Sequence, residues 1–361
     1  MSNLEGGREG TGATEIADLA GQVRADLQVW ATRWPIFAPV RFSAIAQTTA
    51  VHLPALSRSA RALAALVSLW IIAFDEVVDE DRLTSTQLTA LTERCRRLVA
   101  RPEAPDTVGA DPLCASLQEI VRQMTERSTF AAFASTWQGA LTDMLDAIIE
   151  HRRLGNPTLL GTAPAATSPA VPSFAAMLAL TTRSIGVCFY LISSWVLYEE
   201  PDLILRREAL LRSAEACAQA IRLANDLQTW RRDAEEGSVN TLTALEWELA
   251  QTVPDLPADD RRRHALATLQ EHLVATMART RTELHNSAVP TSPVERDMEG
   301  LASFVTQLYV RYDFHTYPAT PSAPPPVQCS AETAPDAPGT SPCGSERAGT
   351  HVLQGQSLGK Q

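Results

Sequence analysis

The sequence predicts an all-α protein: a single large bundle of roughly ten or more helices around a central apolar interior. Three observations carry that prediction. Apolar residues recur at three-to-four spacing in one segment after another. The strong helix formers Ala, Leu, Arg and Glu fill those segments. No run alternates apolar and polar residues as a half-buried strand does. With 361 residues, 45% of them hydrophobic, the chain is long enough to bury one large core.

In chain order, residues 1–14 are rich in Gly, Glu and Thr and lack an apolar run, so they read as a floppy end without a secretory leader. Helices are expected over 16–34, 59–80, 84–99, 113–127 and 129–152. The stretch 155–173 (GNPTLLGTAPAATSPAVPS) reads as a long surface loop, to which no role is assigned. Helices then resume over 174–198, 203–236, 241–251, 259–287 and 293–312. From Pro318 onward the chain holds eight of its 23 prolines and no apolar period. Such a segment cannot repay its ordering entropy, so 318–361 reads as a disordered tail and 15–317 as one domain.

Two of these helices are nearly uncharged. Residues 62–74 hold no charge and 174–198 only Arg183. The first is too short for a bilayer, and the second has polar residues throughout its interior, so both read as core helices and not as membrane spans.

A net charge of −11 repels phosphate backbones and argues against a nucleic-acid partner. The only lysine is Lys360, which removes any lysine nucleophile, Schiff-base lysine or P-loop lysine from the folded part. Six cysteines without a C-x-x-C pair read as free thiols of a cytoplasmic protein.

The uncharged helix ends abruptly in acid: Asp75, Glu76, Asp79, Glu80 and Asp81 are five of seven consecutive residues. Asp75 and Asp79 share one face a turn apart, where carboxylates repel and oppose the helix dipole. A solvated helix end tolerates this; so does a site for hard divalent cations. A second polar seam lies far downstream. Asn225, Thr229 and Asp233 fall at i, i+4 and i+8, a stripe about 12 Å long that offers an amide oxygen, a hydroxyl and a carboxylate. These are oxygen ligands suited to Mg²⁺, and Arg232 beside them suits an anion.

Together the two seams resemble those of class I terpene synthases of the bacterial type, over roughly residues 17–317. That family carries an Asp-rich motif at one helix end and N-D-x-x-S/T-x-x-x-E on another. Here the first reads Asp75-Glu76-x-x-Asp79-Glu80, and the second has Thr229 and Asp233 where Ser and Glu are commoner. The resemblance implies the class I terpenoid fold and three Mg²⁺ held by Asp75, Glu76, Asp79, Asn225, Thr229 and Asp233. It also implies a substrate diphosphate bound by Arg183, Arg232, Arg311 and Tyr312. Arg183, 42 residues before Asn225, matches the diphosphate-sensing arginine. Gly186 would break that helix, and the Val187 carbonyl would help trigger ionisation. Arg311-Tyr312 matches the pair that closes over the diphosphate, and Arg183, Arg311 and Tyr312 would act in catalysis.

Chemistry would then belong to an allylic cation folded against Trp70, Phe74, Phe189, Tyr190, Trp195, Tyr309 and Phe314. Each of these, taken singly, reads more readily as plain core. No D-x-D-D motif is present, so protonation-initiated cyclisation is not expected. The run 224–233 with Gly237 and Asn240 looks closer to diterpene synthases, which favours a C20 substrate: geranylgeranyl diphosphate, or a labdane-type bicyclic diphosphate from a separate class II cyclase. The alternative is a sesquiterpene synthase acting on farnesyl diphosphate. A prenyl diphosphate synthase lacks support in the second motif, and a non-catalytic helical scaffold leaves the spacings unexplained. The family further implies a homodimer.

Overall fold

A computed structural model describes residues 6–79, 83–101, 111–155, 171–289, 292–314 and 316–318. Among them are α1 (Gly6–Ala31), α2 (Phe42–His52), α3 (Arg58–Asp79), α4 (Ser85–Ala100), α5 (Pro112–Thr125) and α6 (Phe130–Gly155). There follow α7 (Phe174–Ser184), α8 (Val187–Tyr198), α9 (Arg207–Glu236), α10 (Thr241–Thr252), α11 (Ala258–Ser287) and α12 (Val294–Tyr309). No strand occurs among the described residues, and the all-α prediction holds.

The starts and stops follow local chemistry. Asp111 accepts from Leu113 N and Cys114 N with Pro112 at the first helical position, which begins α5. Thr84 and Gln87 form a reciprocal capping box on α4, and Asn240 and Thr243 do the same on α10. Gly237, at φ +71°, lets α9 end in a left-handed turn.

The apolar helices lie inside. From Ala60 to Val78 most of α3 is buried, including Trp70 and Phe74, and it packs on α1, α2, α5 and α8. On the other side α9 packs against α7, α8, α11 and α12. A smaller core of Leu223, Leu242, Leu245, Ala265 and Leu269 ties α9, α10 and α11 together. No single helix among the described residues is long and apolar enough to cross a membrane. The pair α7 and α8 qualifies only jointly and is bent by 41°, with Phe189–Leu197 buried in the bundle.

Several boundaries differ from expectation. The sequence offers no notice of α2, whose residues are buried on every side and so lack an amphipathic stripe. α1 begins at Gly6, inside the stretch read as a floppy end. α12 stops at Tyr309, so Arg311 and Tyr312 sit in the turn that follows and not on the helix. The break at Gly186 lies where expected: this residue adopts φ +75° between α7 and α8. Most of the 155–173 loop, the tail beyond Pro318, Glu80, Asp81 and the side chain of Asp79 lie outside the described residues.

Candidate diphosphate and metal site

The first seam forms because α3 carries its apolar face to its last turn and then releases acids at the rim. Asp75 is exposed there, while Glu76 is partly buried against Arg41, whose Nε donates to Glu76 Oε1 at 2.6 Å. Arg41 is itself buried and donates Nη1 to the Phe314 carbonyl at 3.0 Å. One guanidinium thus ties the end of α3 to the segment after α12.

The second seam lies along α9 as its 3.6-residue period requires. Thr229 Oγ1 is 3.0 Å from the Asn225 carbonyl and 2.8 Å from Asp233 Oδ2. Asn240, which caps α10, donates Nδ2 to the same Asp233 oxygen at 2.8 Å. Burial raises the Asp233 pKa, and Asp226 adds to this, against the stabilising bonds from Asn240 and Thr229 and the charge of Arg222. Tyr309 on α12 is buried and hydrogen-bonds the Asn225 side chain, and burial raises its phenol.

What joins the seams is a residue for which the sequence holds no motif. Arg222, one turn before Asp226 on α9, is buried and ion-paired with Asp226. Burial by itself would lower its pKa. The charges of Asp226 and Asp233 on α9 and of Asp75 on α3 outweigh that and hold it above the ordinary value. The same guanidinium therefore feels carboxylates of both seams. Asp226 also accepts from Thr241 N at 3.1 Å and is paired with the Thr241 hydroxyl, which fixes α10 to α9 beneath the site. His151, near the end of α6, bonds the Val239 carbonyl through Nε2 at 2.6 Å; burial lowers its pKa, as does Arg222.

The anion-binding candidates divide. Arg232 forms an ion pair with Asp313 and approaches Glu236 at 3.9 Å. Asp313 bonds the backbone and hydroxyl of Thr316 at 2.6 and 2.8 Å; with Arg232, these bonds outweigh burial and lower its pKa. Arg311 is exposed, and Tyr312 meets Tyr317 edge-on at 5.7 Å. Arg183 is not enclosed by the apolar core as its surroundings in sequence suggest. It sits in the last turn of α7, 46% exposed, with Glu150 at 3.5 Å and the Ala179 carbonyl at 3.4 Å. An arginine at a helix end reaches water where one at the middle does not. It neighbours the end of α6 that carries His151, and through it the second seam.

The aromatic residues are densely packed. Trp70 stacks on Phe74 at 5.4 Å and donates its indole N–H to the Leu113 carbonyl. Phe189 packs on Trp137, Trp195 on Phe133, and Tyr309 on Phe314. Val187 opens α8 directly after the break, partly buried against the core.

The donor set suits a hard cation. No group of three His, Cys, Asp or Glu ligands gathers among the described residues, but the α9 stripe mixes amide, hydroxyl and carboxylate oxygens. The 2.8 Å between Thr229 Oγ1 and Asp233 Oδ2 is close to the edge, about 3 Å, of an octahedron with Mg–O bonds near 2.1 Å.

Comparison with known proteins gives this fold its class: it is that of a class I terpene synthase. The model of terpene synthase family 2, C-terminal metal binding, matches residues 67–248, about half of the chain and both seams. The chain belongs to this family and is an enzyme, a terpene synthase. No curated protein sequence matches it. Among solved structures it resembles the linalool/nerolidol synthase of Streptomyces clavuligerus, at 18% identity and a TM-score of 0.58, covering 81% of this chain and 94% of that one. It also resembles the 2-methylisoborneol synthase of Streptomyces coelicolor A3(2), solved with Mg²⁺ and 2-fluoroneryl diphosphate, at 14% identity and a TM-score of 0.61, covering 83% and 91%. Abietadiene synthase of Abies grandis aligns at 14% identity and a TM-score of 0.56, covering 84% of this chain and 38% of that one.

Proposed function

We propose that this enzyme ionises a prenyl diphosphate, cyclises or rearranges the carbocation to a terpene hydrocarbon or alcohol, and releases diphosphate. The observation that carries the reading is the convergence on Arg222: Asp75 of α3 and Asp233 of α9 act on the same buried guanidinium. One guanidinium offsets only part of the carboxylate charge that the two seams carry, which leaves them suited to further, divalent cations. Asp75, Glu76, Asp79, Asn225, Thr229 and Asp233 would hold Mg²⁺, which supplies Lewis-acid neutralisation of the diphosphate.

The chain's own residues supply the rest. Arg232, Arg311, Tyr312 and Arg183 hold phosphate oxygens, so the charge that develops on the leaving group meets donors already in place. Arg232 now holds the Asp313 carboxylate and exchanges that anion for diphosphate. The apolar walls of α3 and α8 exclude water, which would otherwise capture the cation early. We assign a C20 substrate, linear or labdane-type, from the resemblance of the 224–233 run, with Gly237 and Asn240, to diterpene synthases.

The test is incubation with Mg²⁺ and, in turn, C10, C15, C20 and C25 linear diphosphates and labdane-type bicyclic diphosphates, followed by gas chromatography. Terpene products from the C20 substrates are expected, and Asn225→Ala should lower their formation by roughly 100-fold, the upper range for disturbing a metal shell. Products from farnesyl diphosphate alone would transfer the reading to a sesquiterpene synthase. Longer prenyl diphosphates formed with isopentenyl diphosphate would replace it with chain elongation.

A further inference from the structure

His52 is the last residue of α2, the helix the sequence concealed, and it is fully buried. Its Nδ1 lies 3.1 Å from the Tyr190 hydroxyl of α8, with the two rings 5.3 Å apart. Its Nε2 is buried and has no hydrogen-bond partner. A native core seldom leaves such an atom unmatched, and where it does the group commonly has work to do. Burial keeps the ring neutral, lowering its pKa to about 3. The Tyr190 hydroxyl has Thr49 as a second polar neighbour. In the tautomer whose Nδ1–H donates to the Tyr190 oxygen, the Nε2 lone pair is left as an open acceptor.

The position of this pair relative to the acidic seam follows from the helices. A Cβ on Gly186 would lie 2.5 Å from Ile71 Cγ2, so the α7–α8 break abuts α3 at Ile71, one turn before Asp75. Tyr190 is one turn beyond Gly186, and its N–H bonds the Gly186 carbonyl. α8 runs away from the seams, because its last residue, Tyr198, bonds Asp297 near the start of α12 while Tyr309 at the far end of α12 bonds Asn225. α2 runs the same way, from Arg41 beside Glu76 down to His52. Tyr190 thus lies about two helical turns, near 11 Å, below Asp75, and His52, about three turns along α2 from Arg41, meets it there. That depth suits the hydrocarbon end of a chain whose diphosphate is held at the rim.

We propose that His52 is the base that ends the reaction, with Tyr190 as its positioning residue; this rests on the prenyl diphosphate chemistry proposed above. The Nε2 lone pair takes a proton from the carbon next to the cationic centre. The C–H electron pair becomes the new C=C bond, and the positive charge passes to the imidazolium, whose Nδ1–H remains on the Tyr190 oxygen. The imidazolium gives this proton to water once product release has opened the site, which restores the neutral ring. Even a weakly basic imidazole suffices, since a C–H beside a carbocation is a far stronger acid.

The experiment compares wild type with His52→Phe, which keeps the ring volume but has no lone pair. Diphosphate release and the terpene profile are measured on the preferred substrate, deuterated at the position that the main wild-type product loses. Diphosphate release should persist, while the main alkene falls at least about tenfold relative to isomers that retain deuterium or to water-captured alcohols, the low end of a general-base contribution. If His52→Phe loses its helical circular dichroism, Tyr190→Phe takes its place, with a smaller shift in the same direction expected. An unchanged profile with continued diphosphate release overturns the role of His52 and leaves the proposed function standing. Absence of diphosphate release from every prenyl substrate with the wild type overturns both.

Discussion

Arg222 illustrates what a single buried charge does in this fold. Its partner Asp226 is fully buried, so loss of the guanidinium leaves a carboxylate in the core without its cation. Arg222→Leu is therefore expected to destabilise the protein by about 3–5 kcal/mol. Urea unfolding followed by circular dichroism measures this, and a midpoint equal to wild type would refute it. At this scale the polar stripe was legible and its environment was not. Asn225, Thr229 and Asp233 announce themselves because i, i+4 spacing is a property of one helix. Arg222 is on that helix too, but its meaning depends on Asp75, 147 positions away in sequence. Arg41 meets Glu76 across 35 positions and is likewise unreadable in advance.

Helix elements divide in the same way. The joint between α7 and α8 could be placed because a glycine interrupts an apolar run, and there its lack of a side chain is required twice over. Gly186 holds φ +75°, and any Cβ would lie 2.5 Å from Ile71 Cγ2 and 2.9 Å from Met144 Sδ. Gly186→Ala should cost about 2–4 kcal/mol from the left-handed backbone and overpacking together. A thermal melt reads the effect, and an unshifted midpoint would mean that the joint relaxes freely. Such a shift in the joint would also move Val187 and Tyr190. α2, by contrast, was hidden, since Phe42–His52 is buried on all sides and carries Thr48 and Thr49, poor helix formers. Its helicity is a product of tertiary packing. The end of α12 was overextended for a related reason: the chain turns after Tyr309 so that Asp313 reaches Arg232 and the Phe314 carbonyl reaches Arg41.

Across the whole molecule, the rim carries opposite charges held on each other while the interior is apolar. Arg222 is paired with Asp226 and feels the charges of Asp75 and Asp233, Glu76 is held by Arg41, and Arg232 is held by Asp313. On the proposed function, added Mg²⁺ and inorganic diphosphate together would exchange these internal partners for stronger ones. At a hundredfold excess over their dissociation constant they should raise unfolding free energy by about 2.7 kcal/mol. Either ligand alone should do less, because Mg²⁺ without the anion must displace Arg222, and the anion without Mg²⁺ meets an acidic rim. Thermal melts with each ligand, both, and both plus chelator check this; equal shifts from diphosphate with and without Mg²⁺ would contradict it.

The amino-acid order by itself determined the helical class, the apolar core helices, the break at Gly186 and the two polar seams. Each is written in a period of three to four residues or in one glycine, and so is settled within a helix. Only the tertiary structure decided which charges face one another and where the unmatched imidazole of His52 lies, 138 positions from the tyrosine beside it. Those pairings arise when helices distant in sequence bury their apolar faces together, and the polar groups near the seam must then find partners in whatever faces them.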